Sequence, residues 1–296
     1  MLKAPKAHAL VENFAGQWLQ LRNLKLVAPA HKQFPLFDEG LRIAMEKETE
    51  LFFESICREN RSLMEFISAD YTFLNERLAQ LYGIDGVEGE QFRRVTLKGN
   101  QRGGLLTQAS ILTITSNPTR TSPVKRGKWV LENILGAPPP PPPPNVPELK
   151  EGKEALTGPL RHRMEQHRSD PNCAACHQKI DPLGIAFDNY DAIGRWRTVE
   201  TAKDGTGADP ALDPSGALPD GRKFADAVEL RKVLLDDSDK FAAAFTEKLA
   251  TYALRRGMTF SDREELKVVA EHSKGDDYKL SSLIESLVSS PLFLKR

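Results

Sequence analysis

The sequence predicts a mainly α protein in three parts, and two observations lead to that prediction. Apolar side chains recur every three or four residues through most of its 296 residues, as on one face of a helix. Capping residues precede several of these stretches, and glycine or proline follows them. Hydrophobic residues make up 40% and charged residues 28% of the chain, so a folded globular core is expected.

A helical region is predicted over residues 1–90. In its first helix, between His8 and Leu24, apolar residues fall on a single face. A second helix is predicted over Leu41–Arg58, and Ser62 is a candidate N-cap for a short third one. Asp70 is the candidate N-cap of a fourth helix, which would begin before Phe73 and stop at Gly83.

The second part covers residues 91–200 and opens with a predicted strand over 91–97. Ser122 followed by Pro123 is typical of a helix start, because proline suits the first helical position. The seven consecutive prolines Pro138–Pro144 predict a polyproline II rod of about 22 Å. We interpret this rod as a stiff spacer or a strap across the protein's own surface rather than as a ligand of another protein.

A small helical domain is predicted over residues 210–296. Ser238 would cap a helix that closes at Gly257, and Ser261 with Glu264 would form the capping box of the next. A last helix would hold Leu280 through Leu287 and end before Pro291.

Charge and composition exclude several function classes. Lys plus Arg and Asp plus Glu both number 41, so the net charge is zero, and we expect no nucleic-acid partner. We also expect no membrane span, because no run approaches the ~18 apolar residues that one requires. The first residues lack the pattern of a signal peptide. Three cysteines are too few for a disulfide scaffold.

Two of those cysteines lie in the sequence Cys173-Ala174-Ala175-Cys176-His177, which is the C-x-x-C-H pattern of c-type haem attachment. Two thiols three residues apart face the same side of a helical turn, where they can add to the two vinyl groups of haem. The neighbouring His177 would then supply an axial nitrogen to the iron. The sequence therefore predicts one covalent haem c.

Three other interpretations stay open. A zinc site would need two further ligands, for which Cys57, His162 and His167 are the candidates. A dithiol redox site would need a thioredoxin-like strand and helix, which the flanking sequence does not suggest. The pattern is also compatible with coincidence.

Residues after the motif are candidates for the surroundings of the haem. A metal-bound histidine usually donates its second N–H to a carbonyl or carboxylate, and either the Pro182 carbonyl or Asp181 is placed to accept it. Leu183 and Phe187 would wall the macrocycle, and Trp196 would line it. Arg195 and Arg197, on either side of Trp196, are either partners of a haem propionate or solvated surface residues.

The sixth iron ligand is not fixed by spacing. His167 precedes Cys173 by six residues, enough chain to reach the other face of the haem. Met164, His162 and Met258 are alternatives, as is a five-coordinate iron.

The chain resembles the C-terminal part of large planctomycete cytochrome-c-like proteins. The stretch from TSPVKRG through the proline run and the segment HRSDPNCAACHQKIDPLG carry the resemblance most specifically. It implies three successive domains of unknown function, numbered 1592, 1588 and 1585, over residues 1–90, 91–200 and 210–296. It also places the family haem motif on Cys173, Cys176 and His177, and a His-Arg pair on His167 and Arg168.

Motif and resemblance together predict a central cytochrome-c-like unit that transfers single electrons to a redox partner protein. The family is typically exported, so we expect a periplasmic or otherwise exported protein of which this chain is a fragment. A haem-dependent oxidative enzyme, or a binding scaffold with zinc or nothing in the motif, are the alternatives. The oligomeric state is left open.

Overall fold

The fold is mainly helical, as predicted, with two small antiparallel sheets. The computed structural model describes residue 2 and residues 4–141, 160–169, 171–200 and 210–295. The main helices are α1 Glu39–Glu59, α2 Glu76–Tyr82, α3 Ala109–Ile114, α4 Pro123–Asn133, α5 Leu160–His167, α6 Pro171–Ile185, α7 Ala227–Asp236, α8 Ser238–Leu254, α9 Arg263–Lys274, α10 Leu280–Ser289 and the short α11 Pro291–Leu294. The strands are β1 Tyr71–Leu74, β2 Arg93–Thr96, β3 Gly216–Ala217 and β4 Lys223–Phe224.

The first helical segment is less regular than its apolar spacing predicts. Leu10–Ala15 form a π-helical stretch, and a single α turn follows over Gly16–Trp18. The segment then breaks at Gln20, which has a left-handed φ of 58°. This arrangement lets the Trp18 indole donate a 3.0 Å hydrogen bond to the Asn133 carbonyl at the end of α4.

The predicted helix start at Asp70 is wrong. Tyr71–Leu74 form strand β1, which pairs antiparallel with β2 over Arg93–Thr96. The strand predicted over 91–97 is thereby confirmed. The helix begins later, at Glu76, where the Asn75 side chain caps it by accepting from the amide of Leu78.

The C-terminal helices follow the predicted order with three corrections. Helix α8 includes Ser238 as its first residue instead of being capped by it, and it ends at Leu254, where Arg255 rather than Gly257 takes the left-handed conformation. Helix α7, capped by Asp226, was not predicted. The capping box is formed by Thr259 and Asp262 rather than by Ser261 and Glu264. Asp262 is fixed there by Arg256, whose guanidinium donates to both carboxylate oxygens.

The larger of two hydrophobic clusters among the described residues, the main core, draws side chains from all three predicted parts of the chain. Phe14 and Trp18 of the first part pack edge-on against Phe245 of α8, with ring centroids 5.5 and 4.9 Å apart. Leu183 and Phe187 of the second part lie in the same cluster. The three parts therefore share this main core.

Helices α4 and α6 cross at two glycines. A Cβ on Gly127 would overlap the carbonyl oxygen of Ile180, and a Cβ on Gly184 would overlap that of Pro123. The two backbones touch at this crossing, which no larger residue permits. It fixes the C-terminal half of α6 against the rest of the protein.

Within the described residues, no helix is both long enough and apolar enough to cross a membrane. Of the proline run, Pro138–Pro141 are described and three of the four are exposed. Pro142–Pro144 lie outside the described residues, so the rod stays a prediction.

Candidate haem attachment site

The C-x-x-C-H motif lies in the first half of helix α6. With 3.6 residues per turn, Cys173, Cys176 and His177 fall on the same face as the later residues Ile180 and Gly184. The later part of this face packs against α4, whereas the three motif side chains are only partly buried. The second half of this face therefore fixes α6 against α4, and the first half leaves the motif side chains partly accessible.

Both motif cysteines are free thiols that solvent partly reaches. Cys176 packs against the edge of the main core. The third cysteine, Cys57, is different: it is buried in α1, and burial raises the pKa of its thiol to about 12. The structure thus separates a pair of partly accessible thiols from one inert structural thiol.

The motif histidine is held by a carboxylate one turn further along. The Nδ1 atom of His177 lies 2.8 Å from Oδ1 of Asp181, whose side chain is 3% exposed. The other oxygen, Oδ2, lies 3.7 Å from Nε of Arg168. The carbonyl of Pro182, the other acceptor that the sequence suggested, accepts from the amide of Ala186.

The residues predicted to surround the macrocycle occupy three kinds of position. Leu183 and Phe187 are buried in the main core, at 1% and 2% exposure. Trp196 is partly buried and packs edge-on against Tyr190, with ring centroids 5.2 Å apart. Core packing explains the burial of Leu183 and Phe187, and the contact with Tyr190 explains that of Trp196. A role beside haem stays a prediction for all three.

The two arginines flanking Trp196 already have carboxylate partners. Arg195 contacts Asp191 at 3.1 Å, and Arg197 contacts the buried Asp188 at 2.7 Å. These ion pairs fix the loop that follows α6.

Arg126 organises the same loop, and the sequence analysis missed it. Its guanidinium lies in the interior and donates to the carbonyls of Phe187, Tyr190 and Asp191 at 2.5, 2.9 and 2.8 Å. Burial lowers its pKa to about 10. The sequence did offer a signal for this role: Arg126 lies one turn before Trp129 and Val130, on the apolar side of α4. A charged residue is rarely buried without a partner.

The candidates for a sixth ligand are only partly within the described residues. His167 ends helix α5, but its side chain lies outside them. Met164 is buried on that helix at 5% exposure, whereas His162 is exposed and contacts Gln166. Met258 packs against the main core from the C-terminal part.

The residues of the motif meet the chemical needs of covalent haem attachment. Across the described residues, no group of three His, Cys, Asp or Glu side chains is close enough together to hold a metal ion. A covalent haem needs fewer protein groups: two free thiols on one turn and an adjacent imidazole with an oriented ring. The residues present meet that requirement.

Comparisons with known proteins cover most of the chain. Three family models match the chain, and each describes proteins of unknown function. The model DUF1592 matches residues 1–84, DUF1588 matches residues 102–200 and DUF1585 matches residues 220–293. No curated protein and no solved structure matches. The chain thus carries these three domains in succession, which is the domain series that its resemblance to planctomycete cytochrome-c-like proteins implied.

Proposed function

We propose that the chain is a c-type cytochrome module that binds one covalent haem and transfers single electrons to a redox partner protein. The observation that carries the proposal is the first half of α6. Two free thiols lie one turn apart there, next to an imidazole that a buried carboxylate orients.

Cys173 and Cys176 would attach the haem by addition. Each thiol S–H adds across one vinyl group, so that sulfur bonds to one vinyl carbon and the proton goes to the other. This addition needs no oxidant and releases no leaving group. Two thioethers would fix the macrocycle beside the helix, and His177 would donate an imidazole nitrogen to the iron.

Bound haem would supply an iron that takes up one electron from a donor and passes it to an acceptor. The protein's own part is to keep its ligands fixed while the charge changes. The glycine crossing of α4 and α6 and the bonds of Arg126 to the following loop both hold α6 still. Small structural change between redox states is what fast single-electron transfer requires. An exported location is part of the same proposal.

The test is expression of the chain with a haem c maturation system, followed by extraction of the denatured protein with acidified organic solvent. We expect the red colour to stay with the protein. The Cys173→Ala/Cys176→Ala double variant should lose it, whereas Cys57→Ala, which removes a thiol elsewhere, should keep it. A colourless wild-type chain, or colour that extracts, would overturn the proposal.

The spectrum of the coloured protein separates electron transfer from oxidative enzyme chemistry. A low-spin spectrum that added cyanide leaves unchanged is the result expected for an electron carrier. A high-spin spectrum that responds to cyanide would contradict electron transfer and favour a haem-dependent oxidative module.

A further inference from the structure

The acceptor on His177 is a charged side chain rather than a backbone carbonyl. Asp181 follows the histidine by four residues, so that the two side chains meet on the surface of one helix. Their contact of 2.8 Å joins Nδ1 to a carboxylate oxygen that lies almost entirely out of solvent. Few arrangements hold an imidazole ring more tightly than a charge-assisted hydrogen bond in a buried place.

Among the described residues, the second oxygen of the Asp181 carboxylate, Oδ2, is buried and makes no hydrogen bond that would draw it away from the histidine. The nearest cation, Arg168, lies 3.7 Å away, beyond hydrogen-bond distance. Of the two acceptors that the sequence suggested, the Pro182 carbonyl receives the amide of Ala186, whereas Asp181 contacts the imidazole.

We propose that Asp181 is a positioning residue that keeps a proton on Nδ1 of His177 and so reserves Nε2 for the iron. This inference rests on the function proposed above. A carboxylate on the distal side of a metal-bound imidazole orients the ring and makes it a stronger donor. A stronger, more negative donor favours ferric over ferrous iron. Asp181 therefore lowers the reduction potential of the haem, and Arg168, a cation on the same carboxylate, raises it.

A purely structural role for Asp181 predicts a different effect on the reduction potential. If the contact served only as a pair along the helix, its loss would change stability and leave the potential where it was. The potential is thus the readout that a structural role does not move. The opposite signs expected for Asp181 and Arg168 provide a second check, since general loosening of the site would move both variants the same way.

The experiment compares the reduction potential of the haem-loaded full chain with those of Asp181→Asn and Arg168→Gln. Asp181→Asn should raise the potential and Arg168→Gln should lower it. Asp188→Asn is the matched control, because Asp188 is also a buried carboxylate but contacts Arg197 and Thr121. It should leave the potential near the wild-type value. Equal potentials in Asp181→Asn and Asp188→Asn, or a shift of the same sign in Arg168→Gln, would overturn the inference.

A measurement without haem keeps the inference testable on its own. In the chain labelled with ¹⁵N-histidine and expressed without maturation, the His177 signals, assigned by their loss in His177→Gln, should show the proton on Nδ1. Asp181→Ala should shift the population toward Nε2–H, and a wild-type proton on Nε2 would contradict the inference. A wild-type chain that takes up no haem would refute the proposed function instead, and an unshifted potential in a loaded chain would refute only the role of Asp181.

Discussion

The two halves of helix α6 carry out different tasks on one face. The second half, from Ile180 to Ile185, is buried throughout and touches α4 backbone to backbone at Gly184. The first half presents Cys173, Cys176 and His177 partly exposed. The contrast indicates that stability is concentrated in the second half and chemistry in the first, so that mutations should separate the two.

The largest effect should come from the packed half. Gly184→Ala places a methyl group into the Pro123 carbonyl, which cannot move without parting the two helices. We expect a loss of at least about 3 kcal/mol in the free energy of unfolding, measured by urea denaturation. Gly257→Ala, where no atom lies within 4 Å of the added carbon, is the control. Equal stability in the two variants would break the contrast.

The loop after α6 should be nearly as sensitive. Arg126→Met removes three buried hydrogen bonds, to the carbonyls of Phe187, Tyr190 and Asp191. Backbone amides still donate to Phe187 and Asp191, but the Tyr190 carbonyl loses its donor. We expect a loss of roughly 3 kcal/mol in the free energy of unfolding, because hydrogen bonds from a charged group are lost and a buried carbonyl is left unsatisfied. Lys128→Met, an exposed position on the same helix, should change the free energy of unfolding by less than about 0.5 kcal/mol. If Arg126→Met lost no more stability than Lys128→Met, the loop would not depend on the guanidinium.

A buried carboxyl outside α6, that of Glu48 in α1, extends the comparison because its effect on stability should depend on pH. Its carboxylate accepts 2.6 Å hydrogen bonds from Thr72 and Tyr82, yet burial raises its pKa from 4.5 to about 7. The folded state therefore binds this proton more tightly than the unfolded state. The stability that this bound proton contributes is complete below pH 4.5 and is lost as the pH rises through about 7.

The corresponding measurement is the free energy of unfolding as a function of pH. Wild type should lose up to roughly 3 kcal/mol more than Glu48→Gln between those two pH values. Parallel curves for the two proteins would show that Glu48 is ionised in the fold at neutral pH.

The smallest effect on stability is expected in the exposed half. The haem-free Cys173→Ala variant should unfold within about 0.5 kcal/mol of the haem-free wild type, because the thiol is partly exposed and has no disulfide partner. Thermal and urea unfolding of the two proteins provide the comparison. A loss of several kcal/mol would mean that the motif is part of the core.

The sequence predicts the features that depend on near neighbours. Ser122 with Pro123 starts α4 where expected, and the C-x-x-C-H spacing places both thiols on one helical turn. Strand β1 was missed because its partner β2 lies about 20 residues further on, and pairing rather than local spacing decides its conformation. The role of Arg126 was hidden for a similar reason, since its acceptors are backbone carbonyls some 60 residues away.

The central claim is that Cys173 and Cys176 bind one haem covalently, and mass spectrometry of protease digests tests it most directly. After expression with haem c maturation, the peptide that contains both cysteines should be heavier by the mass of one haem. The peptide with Cys57 should keep its unmodified mass. A motif peptide with two free thiols in fully matured, folded protein would contradict the account.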